Sequence, residues 1–173
     1  MHIRERILAL NIAARIDADV QPPRLLMNFM TDGADPHTAW GYVTDPELLV
    51  QWSPIVPDRK LDAVGPVESR ENPEDAPVKV DVVAVDPGKE VTHWWGDDLI
   101  TWTITGDRID CSMQLQHLET APLYAAGWHV CFGVLSTLFK GEEQHRIVGE
   151  DAFKYGWQEL KERYDKELAA PQP

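Results

Sequence analysis

The stretch TAPLYAAGWHVCFGVLSTLFKG, residues 120–141, decides how the rest of the chain is read. Pro122 suits a first helical turn, and Gly141 supplies a stop. Between them, Leu123, Tyr124, Trp128, Cys131, Phe132, Leu135, Leu138 and Phe139 cover most of the circumference of a helix. The remaining positions, His129, Gly133, Ser136 and Lys140, form one narrow polar strip, which is predicted to face solvent. A helix so apolar must be buried on more than one side. Its roughly 20 residues at about 1.5 Å each span about 30 Å, enough to cross a small sheet.

Upstream, over residues 60–118, the pattern has period two. Turn signals fall at Gly65-Pro66, residues 72–77, Asp86-Pro87-Gly88, Gly96-Asp97-Asp98 and Gly106-Asp107, which predicts six strands. In the clearest of them Ile100, Trp102 and Ile104 alternate with Thr101, Thr103 and Thr105. In the next, Ile109, Cys111, Met113, Leu115 and His117 alternate with polar neighbours, so His117 is predicted on the dry face that the long helix covers. His93, in Thr-His-Trp-Trp, fits either face.

Residues 24–31 read as a further strand. The pairs Asp35-Pro36 and Asp45-Pro46 each offer a capping carboxylate followed by a proline set for the first helical position, so two short helices are predicted there. Ile3, Ile7, Leu10 and Ala14, with Leu8, Ile12 and Ile16, recur at helical spacing and predict one helix over residues 4–18. Residues 148–168 repeat Phe153, Trp157, Leu160, Tyr164 and Leu168 opposite charges, as a peripheral amphipathic helix does, and residues 169–173 are expected to fray.

The 173 residues suffice for one domain with a continuous core, and 43% hydrophobic and 26% charged content excludes a mainly disordered chain. The expected organisation is a single domain over 1–173, with a helical extension at 1–20, a core at 24–141 and a peripheral helix at 148–168. A formal charge of −13 argues against nucleic acid and anionic membranes as partners, since both require a Lys/Arg surface. Cys111 and Cys131 make no CxxC pair, and their faces are predicted buried, which argues for inert packing. Without a signal-like N-terminus the expected location is cytoplasmic.

The order strand, two short helices, six antiparallel strands and long helix is that of the helix-grip fold. Trp40-Gly41-Tyr42-Val43-Thr44-Asp45-Pro46-Glu47-Leu48-Leu49 with Trp52 resembles the pattern W-x-x-x-T-D-P-E-x-L-x-x-W. Gly127-Trp128-His129-Val130-Cys131-Phe132-Gly133-Val134-Leu135 resembles G-W-x-x-x-L-x-x-L. Both belong to the START-like (SRPBCC) superfamily, in the branch of the C-terminal domain of the heat-shock-protein-90 ATPase activator. The resemblance covers about residues 24–141. It implies an α+β architecture in which a curved seven-stranded antiparallel sheet wraps the long helix, with two short helices after the first strand and extra helices at both ends.

No phosphate-binding loop, dinucleotide fingerprint, HExxH, GxSxG or paired-cysteine motif occurs, so the sequence names no cofactor, no metal and no catalytic residue. The family's habit of enclosing a cavity between sheet and helix implies instead a site for a small hydrophobic or aromatic ligand. Its lining is expected from Trp40, Trp102, Met113, His117, Trp128, Cys131 and Leu135, with core packing as the competing role for the aromatics. Two other functions stay open. One is a chaperone-directed interaction module, and the other is a polyketide cyclase or hydrolase with His117 as general acid or base. A homodimer through edge strands or amphipathic end helices is a further option.

Overall fold

The computed structural model describes residues 2–169. The chain begins with helix α1 (Ile3–Ala9) and strand β1 (Ala13–Asp17), followed by β2 (Arg24–Met30). Two short helices, α2 (Pro36–Thr44) and α3 (Pro46–Leu49), precede a long connection that holds β3 (Glu68–Ser69) and β4 (Val78–Lys79). Then come β5 (Val82–Asp86), β6 (Glu90–Trp95), β7 (Asp98–Thr105) and β8 (Arg108–Gln114). The long helix α4 (Ala121–Phe139), a 3-10 segment (Gly149–Tyr155) and helix α5 (Trp157–Glu167) complete the order. From residue 170 the tail expected to fray lies outside the described residues.

Six strands form one antiparallel sheet in the order β1-β2-β8-β7-β6-β5, and β3-β4 form a separate two-stranded piece. Six strands do arise downstream of residue 60, but two of them, β3 and β4, lie outside the main sheet. The large sheet therefore has six strands rather than seven, and it gains an edge strand from an unexpected place. The hairpins β6-β7 and β7-β8 turn on Gly96-Asp97 and Gly106-Asp107, whose glycines sit at φ +63° and +57°. Positive φ at the first loop position is what two-residue hairpin turns require.

That extra strand corrects the reading of residues 4–18 as one helix. The helix stops at Ala9, and residues 13–17 pair antiparallel with β2, Ala13 opposite Asn28 and Asp17 opposite Arg24. Ile12, Ala14 and Ile16 satisfy period two as well as they satisfy a helical repeat, and the unfilled edge of β2 offers the backbone a row of hydrogen-bonding partners. Tertiary pairing decides such a case.

Helix α2 opens with Asp35 Oδ1 accepting from the Thr38 amide at 2.8 Å, and α3 with Asp45 Oδ1 accepting from the Glu47 amide at 3.0 Å. Each proline follows its cap at the first helical position. Thr44 Oγ1 donates to the Trp40 carbonyl at 2.7 Å, which locks the junction between the two helices. Trp52 then leaves α3 and enters the core, its Nε1 donating to the Tyr42 carbonyl at 2.9 Å.

The inner face of the sheet carries Leu25, Met27 and Phe29 of β2, Ile100, Trp102 and Ile104 of β7, and Ile109, Cys111 and Met113 of β8, all buried. Helix α4 lies over this face. Phe29 stacks on Phe132 at 4.7 Å, and Trp102 meets Trp128 edge-on at 5.4 Å. By length and composition α4 could cross a bilayer, but 67% of its apolar window is buried inside the protein.

The polar strip of α4 is the second correction. His129, Gly133 and Ser136 are buried rather than solvent-facing, because α1 and α5 pack on them. A Cβ on Gly133 would stand 2.5 Å from Ile7 Cγ1 and 3.0 Å from Ile7 Cα, so this glycine is the seat of α1. His129 uses both ring nitrogens: Nε2 donates to the Ile7 carbonyl at 2.7 Å, and Nδ1 accepts from the Tyr164 hydroxyl at 2.7 Å. The Ile7 carbonyl belongs to the last turn of α1, where its own helix offers only the long bond from the Leu10 amide at 3.3 Å and carbonyls look to outside partners. One imidazole thereby joins α1, α4 and α5.

Candidate functional site

The space between β7 and α4, where the ligand hollow is expected, is occupied by rings. Trp52 sits 5.9 Å from Trp102, 6.0 Å from Phe132 and 6.3 Å from Trp128, and it is fully buried. Aromatic pairs at such distances contribute about 0.5–1.5 kcal/mol each beyond area burial, so the filling is favourable in itself. Trp102, Met113 and Leu135 are buried in this packing. Trp40, on α2, is half-buried against its edge.

Trp102 also has a polar partner. Its Nε1 donates to Nε2 of the fully buried His93 at 3.0 Å, and His93 Nδ1 donates to the Trp94 carbonyl at 2.9 Å. Both ring nitrogens are satisfied only in the neutral tautomer protonated at Nδ1. Burial holds the imidazole at about 4, from an ordinary 6.5, so it is uncharged near neutrality. His93 thus resolves to the inner face in a structural role.

His117 is a correction. Strand β8 ends at Gln114, and the backbone turns away after Leu115, so the alternation that would carry His117 inward stops one step short. Its side chain is 72% exposed, with Glu119 3.9 Å from Nδ1. An imidazole so exposed cannot act as general acid or base in an enclosed site.

A groove of about 270 Å³ opens instead at the N-terminal end of α4. One wall is the first turns of α4, with Leu123, Tyr124, Gly127, Trp128 and Cys131. Trp95, the last residue of β6, forms the second wall and meets Trp128 at 5.4 Å. The third comes from the segment before α5 and from its first residue, with Ile147, Val148, Ala152 and Trp157, and Pro54 and Glu71 complete the lining. Of the seven residues expected to line a site, two, Trp128 and Cys131, reach this groove. Trp95, Tyr124 and Trp157 were missed as site residues, because only the fold brings the end of β6 and the start of α5 to one end of α4.

The groove's polar groups are few. Burial pushes the Cys131 thiol up to about 12, with the Glu71 charge adding to the effect and Arg146 opposing it. Arg146 itself donates to the backbone carbonyls of Ser53 at 3.2 Å and Glu71 at 3.0 Å. Burial also raises the Tyr124 hydroxyl above its ordinary value, and the Asp98 charge raises it further. Tyr124 donates to Asp98 Oδ2 at 3.3 Å, and Asp98 is itself raised, first by its partial withdrawal from water. Cys111, in the sheet, is pushed up by burial with a smaller contribution from Asp110. None of these groups is an activated nucleophile near neutral pH.

Other hollows are less suited to an organic ligand. One of about 460 Å³ lies between α1 and the C-terminal half of α4. Its cations are engaged, Arg6 with Glu142 and Lys140 with Asp32 at 4.0 Å.

A six-stranded antiparallel sheet gripping one long helix, with short helices after β2, defines a protein of the helix-grip fold. Solved structures share it. CalU16 from Micromonospora echinospora superposes with a TM-score of 0.68 at 14% identity, over 94% of this chain and 99% of that one. EF2215 from Enterococcus faecalis, a conserved protein of unknown function, gives 0.67 at 14% identity, over 99% and 96%. DynU16, from the dynemicin biosynthetic locus, gives 0.57 at 19% identity over 71% of this chain and 49% of its own. No protein-family profile and no curated protein matches the sequence.

Proposed function

We propose that this protein binds a small hydrophobic or aromatic molecule in the groove at the N-terminal end of α4, without transforming it. The observation that carries the reading is a concave surface lined by Trp95, Trp128 and Trp157, with the protonated thiol of Cys131 among its few polar groups. Ligand sites are concave, largely apolar and fitted with few polar groups. At about 270 Å³ the groove suits a molecule of one or two rings. That it sits at one end of the grip helix rather than beneath it follows from Trp52 filling the middle.

Gly127 makes the test clean. It lines the groove, and a Cβ there meets nothing within 4 Å, so Gly127→Leu puts a side chain into the groove without disturbing the core. Leucine also has the higher helix propensity. A panel of one- and two-ring hydrophobic compounds is to be screened by tryptophan fluorescence and thermal shift. Hits that bind the native chain and lose binding in a folded G127L variant support the reading. Hits that bind both equally, or no hits at all, overturn it.

Membership of the heat-shock-protein-90 activator branch, with the chaperone as partner, is a finer reading of the same motifs. Thr44, Asp45 and Trp52 serve the junction of α2 and α3 and the core, so those motif residues supply no group specific to a partner. A chaperone pull-down with an ATPase assay tests it, and absence of both binding and stimulation removes it.

A further inference from the structure

The groove's walls and its charge are not neutral as to ligand. Glu71 is the one charged residue among those that line it. Among the described residues its carboxylate makes no ion pair, and the nearby Arg146 is committed to two backbone carbonyls. A second carboxylate stands at the rim. Asp98 is the cross-strand partner of Trp95 in the β6-β7 hairpin, and directly opposed residues project on the same face of a sheet. Its carboxylate accepts only from hydroxyl and amide groups, Tyr124 first among them, and it too lacks an ion pair among the described residues.

An indole face carries negative potential, and tryptophan is the best of the aromatic side chains at attracting a cation. Three indoles, Asp98 and Glu71 surround one small hollow, and although the Arg146 guanidinium offsets part of the Glu71 charge, the second carboxylate tips the field toward repelling anions and rewarding positive charge. The formal charge of −13 extends that field beyond the groove and would draw a cation toward it.

We infer that the groove selects an organic cation. The ligand class is an aromatic or branched apolar body bearing a protonated amine or a quaternary ammonium, the body against Trp95, Trp128 and Trp157 and the charge toward Glu71 and Asp98. This rests on the groove being the ligand site, and it adds the sign of the ligand's charge.

The experiment uses an isosteric pair, phenyltrimethylammonium and tert-butylbenzene, which have the same shape and differ in one charge. Affinities are measured by tryptophan fluorescence at low ionic strength on the full chain, with benzoate as an anionic control. The cation is expected to bind about tenfold tighter than its neutral isostere, and benzoate not at all. Glu71→Gln and Asp98→Asn should each lower the cation's affinity severalfold and leave tert-butylbenzene unchanged, while G127L abolishes both. If tert-butylbenzene or benzoate binds as tightly as the cation and G127L blocks it, the charge preference is overturned and the groove stands. If the native chain binds neither these probes nor any compound of the hydrophobic panel, both readings fall.

Discussion

The imidazole of His129 donates from Nε2 to the carbonyl oxygen of Ile7 at 2.7 Å, across 122 positions of sequence. The bond fixes the short helix α1 to the middle of the grip helix, and the Tyr164 hydroxyl completes the ring from α5. Three helices that share little sequence logic are held at one buried polar point. Replacing His129 by Ala leaves the Tyr164 hydroxyl without its partner and the Ile7 carbonyl with only the long bond from the Leu10 amide at 3.3 Å, at about 1–3 kcal/mol for each group so deprived. Urea denaturation should show a loss of about 2–5 kcal/mol in total, with a smaller loss for Tyr164→Phe. A loss under 1 kcal/mol for His129→Ala would show that water or a repacked α1 satisfies the carbonyl.

Acid should weaken the protein through two histidines. Burial holds both His93 and His129 near 4, below the ordinary 6.5. As pH falls, the unfolded chain therefore takes up protons first, and the stability tied to these two imidazoles drops between pH 6.5 and 4 and is level above that window. The expected loss from pH 7 to pH 5 is on the order of 2 kcal/mol for each imidazole. Urea midpoints at the two pH values measure it, and His129→Gln should reduce the difference by about half. An equal pH dependence in native chain and variant would remove His129 from the account.

Gly133 is the contact point of α1, and a methyl group there cannot be accommodated without moving Ile7. Gly133→Ala should cost about 1–3 kcal/mol despite alanine's better helix propensity. At Gly127, where a Cβ meets open space, the same substitution should instead stabilise by about 1 kcal/mol. Thermal unfolding of the two variants side by side checks the opposite signs. Equal effects would mean that α1 does not rest on Gly133.

Trp52 joins the short helices to the core, and its removal should be among the most damaging substitutions. Trp52→Ala is expected to cost about 3–5 kcal/mol, from lost burial and the space left between Trp102, Trp128 and Phe132. Chemical denaturation gives the value. A loss below about 1 kcal/mol would place Trp52 outside the central packing.

Neither cysteine should react while the protein is folded. Cys111 and Cys131 are buried, and their thiols are held protonated. Ellman's reagent at pH 8 should label neither thiol in buffer and both in urea. Fast labelling of one thiol in buffer would reveal that the groove opens to expose Cys131.

Several elements were legible because their signals are local. The Asp-Pro caps marked α2 and α3, the alternation of Ile100, Trp102 and Ile104 marked β7, and the run from Pro122 to Phe139 marked the helix that the sheet grips. Each depends on neighbours a few positions away, and backbone geometry turns that spacing directly into faces.

The candidate site was legible only in part, because a groove is a relation among distant segments. Trp128 and Cys131 followed from the helix, but Trp95, Trp157 and Glu71 join them only when β6, α5 and the long connection arrive at one place. Residues 13–17 could alternate or wind, and the free edge of β2 made them a strand. His129 looked like a surface residue on a polar strip until α1 and α5 covered it, and His117 looked buried until the chain turned after Leu115.

By itself, then, the sequence determined the secondary elements with strong periodicity, the order in which they occur and the apolar character of the grip helix, since these arise from spacing along the chain. Tertiary structure alone decided which polar residues were buried, where the space under the helix was filled by Trp52, and where a groove remained. Those outcomes depend on which surfaces compete for the same volume, and that competition is settled only when the distant parts of the chain meet.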